Sequence, residues 1–230
     1  MRPGVIDEFV RITPGLEGVV LYPYLDILGY VTIGWGSLID PIGPAFKVPF
    51  LRHDGSKPTS AEVATEWHLV KECTCGSYTN PPKCVWPDMR SPRDGRPCLA
   101  HQGHRAAGRI TSLRISAEGA EGMMRDKLSQ NEAALRVHLP MWSSIPANAQ
   151  LAMLLWAWAV GPDAPFPRLM LSVGARNWSE ASTQVRIRTT GNPGIPPRNR
   201  ITQALMLACL TSGPDEISDY QGVLDPGRGL

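Results

Sequence analysis

The chain has 230 residues, enough for one larger domain or two small ones with a substantial buried core. Its 23 basic and 21 acidic residues leave a formal charge of +2, which gives no electrostatic reason to expect nucleic acid or an anionic membrane as partner. The longest apolar run, Leu151 to Gly161, is far short of the ~20 residues of a spanning helix, and Met1-Arg2-Pro3-Gly4 leads to Asp7 and Glu8 rather than to an apolar leader. The expectation is a soluble, monomeric chain, made in the cytoplasm without a signal peptide and not inserted in a membrane.

The elements follow in chain order. Val5, Ile6, Phe9, Val10 and Ile12 are apolar at helical spacing, and Pro14-Gly15 should kink or end that helix. Glu17 is then expected on the turn after the break or on a final helical turn. Leu21 to Leu38 reads as a small antiparallel hairpin or meander, β-branched and aromatic between glycines. Residues 41–58 are proline-punctuated loop. Thr59 and Glu62 form a capping box, predicting a helix from about Ser60 to Glu72.

Residues 73–109 show little periodicity and hold Cys73, Cys75, Cys84 and Cys98, with His101 and His104 behind them. The spacing fits two disulfides, a zinc site or free thiols, each in a structural role within an irregular insertion. Cys209 lies in an apolar helix and is expected to be buried.

Ser116 is a plausible N-cap for a helix to about His138, with Met123, Met124, Leu128, Leu135 and Leu139 as its stripe. Ala147 to Val160 is apolar nearly all round, which predicts a central helix surrounded by others, stopped by Gly161-Pro162. Further helices are expected over Pro167–Val173, Glu180–Ile187 and Arg200–Leu210. The chain therefore reads as α+β, a single domain in three parts. Residues 1–58 make a small lobe with a short antiparallel sheet, 59–112 a helix plus cysteine-rich insertion, and 113–230 a helical lobe.

The chemistry concentrates between Glu17 and Gly36. Cleavage of a glycosidic bond needs an acid to protonate the leaving oxygen and a second carboxylate to activate water or form a covalent intermediate. Glu17, among Leu16, Val19, Val20 and Leu21, is the candidate acid, because an apolar setting favours the protonated form. Asp26, in a partly solvated turn, is the candidate base, and Thr32 can orient the water. Trp35, Gly36, Trp156 and Trp158 are candidate substrate contacts, the indoles as stacking faces for sugar rings. Arg198 and Arg200 read as surface or helix-cap charges, and Glu62, Glu66, Asp126 and Glu132 as solvent-facing.

The pattern E-G-x-x-L-x-x-Y-x-D-x-x-G-Y-x-T-I-G-x-G, from Glu17 to Gly36, resembles the T4-type phage lysozymes (muramidases). Weaker likenesses follow at Ile115-Ser116-Ala117-Glu118, Ala159-Val160-Gly161, Asn177-Trp178-Ser179-Glu180-Ala181 and the basic segment from Gly191 to Arg200. The resemblance implies a two-lobed lysozyme-like fold and cofactor-free hydrolysis of the β-1,4 bond between N-acetylmuramic acid and N-acetylglucosamine. It implies Glu17 as general acid and Asp26 with Thr32 as holders of the attacking water, with inversion at the anomeric carbon. Three positions depart from the family: Pro14-Gly15 before the acid, Ser37 in place of a histidine, and Ala159 in place of a polar cleft residue. Two rival readings stand beside this one, a lytic transglycosylase using Glu17 alone and a non-catalytic lysozyme-like module. A phage lysin and a delivered antibacterial effector, the latter with an immunity or delivery protein as partner, both fit a muramidase that acts in the periplasm.

Overall fold

The computed structural model describes residues 1–26, 28–72, 99–188 and 194–220. In chain order the elements are α1 (Val5–Glu17), β1 (Val20–Leu25), β2 (Val31–Gly34), β3 (Ser37–Leu38), α2 (Ser60–Lys71), α3 (His104–Ala107), α4 (Ala117–His138), α5 (Ala147–Val160), α6 (Pro167–Gly174), α7 (Trp178–Gln184) and α8 (Ile195–Ala208). Single 3-10 turns lie at Gly43–Lys47, Leu99–His101 and Trp142–Ser144. The chain is α+β, with many helices and one small antiparallel sheet. It divides into two compact units, one of residues 18–124 and one of residues 1–17 with 125–230.

The unit of residues 18–124 is built on the sheet, in the order β1-β2-β3. Val20 pairs with Gly34, but Tyr24 pairs with Thr32 and Leu25 with Val31, so the register shifts between Val20 and Tyr24. Pro23 lies inside that irregularity, where its missing N–H costs no ladder bond. One face of the hairpin is apolar and buried, through Leu25, Val31 and Ile33. α2 fastens the sheet by its polar groups. The Trp67 indole donates to the carbonyl of Ile39 at 2.8 Å. Lys71 donates to the Gly29 carbonyl at 3.0 Å, pairs with Asp40 at 2.5 Å, and lies 5.6 Å from the centre of the Tyr30 ring. Asp40 in turn accepts from the Val31 N–H. The expected capping box starts α2: Thr59 accepts from the Glu62 N–H, and the Glu62 carboxylate accepts from the Thr59 N–H.

The other unit is helical. α5 is buried from Ala147 through Trp158, as its all-round apolar sequence predicts, and packs against α1 and α8. α7 packs between α6 and α8. Two polar residues interrupt the apolar surface of α5, and both are fully hydrogen-bonded. Gln150 accepts from the Arg2 N–H and donates to the Trp142 carbonyl, each at 2.7 Å. Asn148 accepts from the Ser218 N–H and donates to its hydroxyl.

Several expectations need correction. Of the two alternatives at Pro14, α1 takes the one that runs through it, with Glu17 on its final turn. It packs on α5 and belongs with the helical unit, not with the small lobe of residues 1–58. α8 begins at Ile195 rather than Arg200, because Pro196 and Pro197 fall in a first turn that needs no N–H donors. α7 begins at Trp178, with Asn177 accepting from the Glu180 N–H as its cap. Glu132 is not solvent-facing. It accepts from the Trp142 indole and pairs with the chain's first amino group and with Arg136. Cys209 ends α8 half-buried, and burial pushes its thiol up to about 12. Cys73, Cys75, Cys84 and Cys98 lie outside the described residues.

Pro14 is exposed inside a helix, where it removes the bond residue 14 would donate to Val10. Pro14→Ala is expected to raise the unfolding free energy by about 1–3 kcal/mol, read by urea denaturation.

Candidate active site

Each unit contributes its own cluster. In the hairpin unit, Asp26 closes the turn between β1 and β2. Its Oδ1 accepts from the N–H groups of Leu28 and Tyr30, both at 2.9 Å, while its main chain exchanges bonds with Tyr30 and Gly29. Gly29 adopts φ 82°, a conformation that side chains other than glycine's resist. Burial raises the Asp26 pKa above the usual aspartate range, outweighing the accepted N–H bonds and the charge of Lys71. Asp26 is half-buried, in keeping with partial solvation, but the expectation that its setting favours the ionised form is corrected on this point.

Thr32 is buried, and its hydroxyl reaches the Tyr30 carbonyl at 3.3 Å. Asp26 and Thr32 therefore both bond the main chain of Tyr30, Asp26 accepting from its N–H and Thr32 donating to its C=O. Past Thr32, Gly34 and Gly36 both take positive φ, 64° and 76°, and swing the chain into β3. Trp35 between them is 7% exposed.

In the helical unit, Glu17 is the last residue of α1. Its main chain is exposed, but its side chain is only 26% exposed. Its carboxylate accepts from Nη2 of Arg198 on α8. Nη1 of Arg198 donates to the Leu155 carbonyl of α5 at 2.8 Å, and its Nε has no partner. Arg198 is 2% exposed, so the reading of it as a surface charge is overturned. Burial lowers its pKa below the usual arginine range, and Glu17 acts in the opposite sense. Lys127 of α4 stands by the same group, its ammonium 4.2 Å from the centre of the Trp158 ring. Burial lowers its pKa too, against the pull of Glu17. The setting of Glu17 is therefore cationic, not the apolar one expected.

Trp158 is 6% exposed, tilted against Phe9 at 5.3 Å, with Lys127 over its ring. Trp156 is fully buried and meets Phe166 edge-on at 5.1 Å. With no exposed face it is a core residue, and its expected role as a stacking surface is corrected. Among the described residues no group of three or more His, Cys, Asp or Glu side chains could hold a metal ion, and no helix is long and apolar enough to cross a membrane.

The sequence held a signal for Arg198 that went unused. Ile195, Arg198, Thr202 and Leu205 follow one another at helical spacing, and all four are buried, so Arg198 sits on the inward stripe of α8. Lys127 likewise adjoins the stripe of Met124, Leu128 and Asn131 on α4.

No protein-family model matches the chain, and no curated protein matches it.

Because the Asp26 pKa is raised in the folded chain, the fold binds that proton more tightly than the unfolded chain does. Stability from this residue is full below the ordinary aspartate value of about 4 and is lost as pH rises through the higher folded value. Asn at this position can still accept both N–H bonds. Asp26→Asn should therefore match the parent near pH 3.5 and exceed it increasingly as pH rises, in urea denaturations run across that range. Arg198→Met should cost about 2–4 kcal/mol by the same measurement, since it strips Glu17 and Leu155 of a buried donor.

Proposed function

We propose that this chain is a peptidoglycan muramidase of lysozyme-like architecture, hydrolysing the β-1,4 bond between N-acetylmuramic acid and N-acetylglucosamine. The observation that carries the reading is the strip from Glu17 to Gly36, with its two carboxylates and its threonine at the spacing of the T4-type lysozymes. Its local geometry fixes where the two groups stand. Glu17 ends a helix with its side chain held in place by Arg198. Asp26 and Thr32 are anchored to the main chain of one hairpin residue, Tyr30, a mount for a water-holding pair.

In the reaction, Glu17 donates its proton to the glycosidic oxygen as that bond breaks. Asp26 takes a proton from the water that Thr32 helps to orient, and the water oxygen bonds to the anomeric carbon. The products are two sugars, one with a new reducing end. The raised Asp26 pKa implies that the acidic limb of activity lies above the ordinary aspartate value, because only the ionised form can accept that proton. In biological terms this is a phage lysin or a delivered effector acting on periplasmic glycan strands.

Clearing of outer-membrane-permeabilised Gram-negative cells tests the proposal. Glu17→Gln and Asp26→Asn should each lower the rate about 10²–10⁴-fold, and Thr32→Ala by less. Mass analysis of the digest should give reducing ends; anhydro ends would instead indicate a transglycosylase. Glycan binding without clearing by the parent chain would indicate a non-catalytic module.

A further inference from the structure

The face of the hairpin that carries Asp26 and Thr32 does not end with them. Tyr24 is the cross-strand partner of Thr32, so the two share a face, and Asp26 follows two residues after Tyr24, just past the end of β1. Tyr22 lies on the same side, because both tyrosine rings meet the imidazole of His104 on α3, with ring centres 6.0 and 6.4 Å away. Tyr22 and Tyr24 are half-buried and His104 is exposed.

This cluster is built rather than incidental. The Tyr22 hydroxyl and Nδ1 of His104 are 2.9 Å apart. With Tyr22 as donor, Nε2–H remains as a donor on an exposed ring. The Arg114 guanidinium lies 4.8 Å from the centre of the Tyr22 ring. It is itself fixed by the carbonyls of Gly108, Thr111 and Leu113, each at 2.7 Å. Gly108 presses on the other part of the ring, and a Cβ there would come within 2.6 Å of it. Neither Arg114 nor Gly108 touches Asp26 or Thr32 through any of these bonds. What they fix is one tyrosine.

We propose that Tyr22, Tyr24 and His104 form an aromatic binding platform for β-1,4-linked N-acetylhexosamine rings, continuous with the face of Asp26 and Thr32. The inference rests on the muramidase reading for its choice of ligand. Pyranose rings present C–H faces that stack on aromatic rings, and their hydroxyl and acetamido groups take up donors at the rim. Tyr22 and Asp26 are four residues apart along the chain, at most about 14 Å. That is the span of a short oligosaccharide rather than of a single ring. The platform therefore selects longer glycans and acts on binding, not on the chemical step.

The test uses the full chain with two readouts. Calorimetric binding of chitotetraose to the Glu17→Gln protein is compared with binding to the same protein carrying His104→Ala or Tyr22→Leu. His104 is exposed, so its replacement leaves folding intact. Each change is expected to weaken tetrasaccharide binding about tenfold and to affect N-acetylglucosamine monomer little. In otherwise parental chains the same changes should raise KM for peptidoglycan with little change in kcat. Equal binding by the variants overturns the platform, as does a fall in kcat at constant KM. Chitotetraose binding lost on these changes in a chain that cleaves no glycan would uphold the platform and sink the muramidase reading. A parental chain that neither binds nor cleaves would sink both.

Discussion

The helical unit depends on one buried charge. Arg198 is almost wholly enclosed, yet it reaches the end of α1 through Glu17 and the middle of α5 through the Leu155 carbonyl. Three helices are thus joined at a single guanidinium. A buried arginine is tolerable only when its hydrogen bonds are made and a counter-charge is close. Glu17 is that counter-charge. The carboxylate proposed to act as the acid is therefore also a packing partner of Arg198, which ties the position of the reacting group to the packing of the unit. Lys127, stacked on Trp158, adds a second positive charge and makes the cluster net cationic.

The hairpin unit achieves the same end with the main chain. Asp26 and Thr32 are held by the main-chain N–H and C=O of Tyr30, and that turn is held by Lys71 and Asp40. Trp67 adds a bond to the strand end at Ile39. None of these fixing groups is drawn from the strip itself except Tyr30. The rigidity of the strip comes from α2, an element whose sequence reads as an ordinary capped helix.

What was legible in the residues was whatever depended on local pattern. α5 could be read because no face of it is polar enough for water, α2 because Thr59 and Glu62 announce its start, and the sheet because β-branched residues alternate between glycines. What was not legible depended on partners distant in sequence. Pro14 left a kink or a stop open, and the helix runs through it because packing of α1 on α5 outweighs one lost hydrogen bond. Trp156 looked like an available indole, but the helix carrying it is enclosed on every side. Arg198 looked like a surface cation because its counter-charge lies at Glu17, near the other end of the chain. The place of Asp26 and Thr32 in one hairpin was legible from spacing, whereas the burial that raises the Asp26 pKa was not.

A helix that is apolar all round has a weakness that an amphipathic one lacks. Nothing in its own pattern says which residue should point which way, so rotation about its axis exchanges one greasy face for another at small cost. In α5 that angle is set by its polar exceptions. Asn148 is committed to Ser218, Gln150 to Arg2 and Trp142, and the Leu155 carbonyl to Arg198. These bonds add little to the depth of the core, but they give α5 one azimuth out of many. The direction in which Trp158 is presented to Lys127 and Phe9 is inherited from that choice.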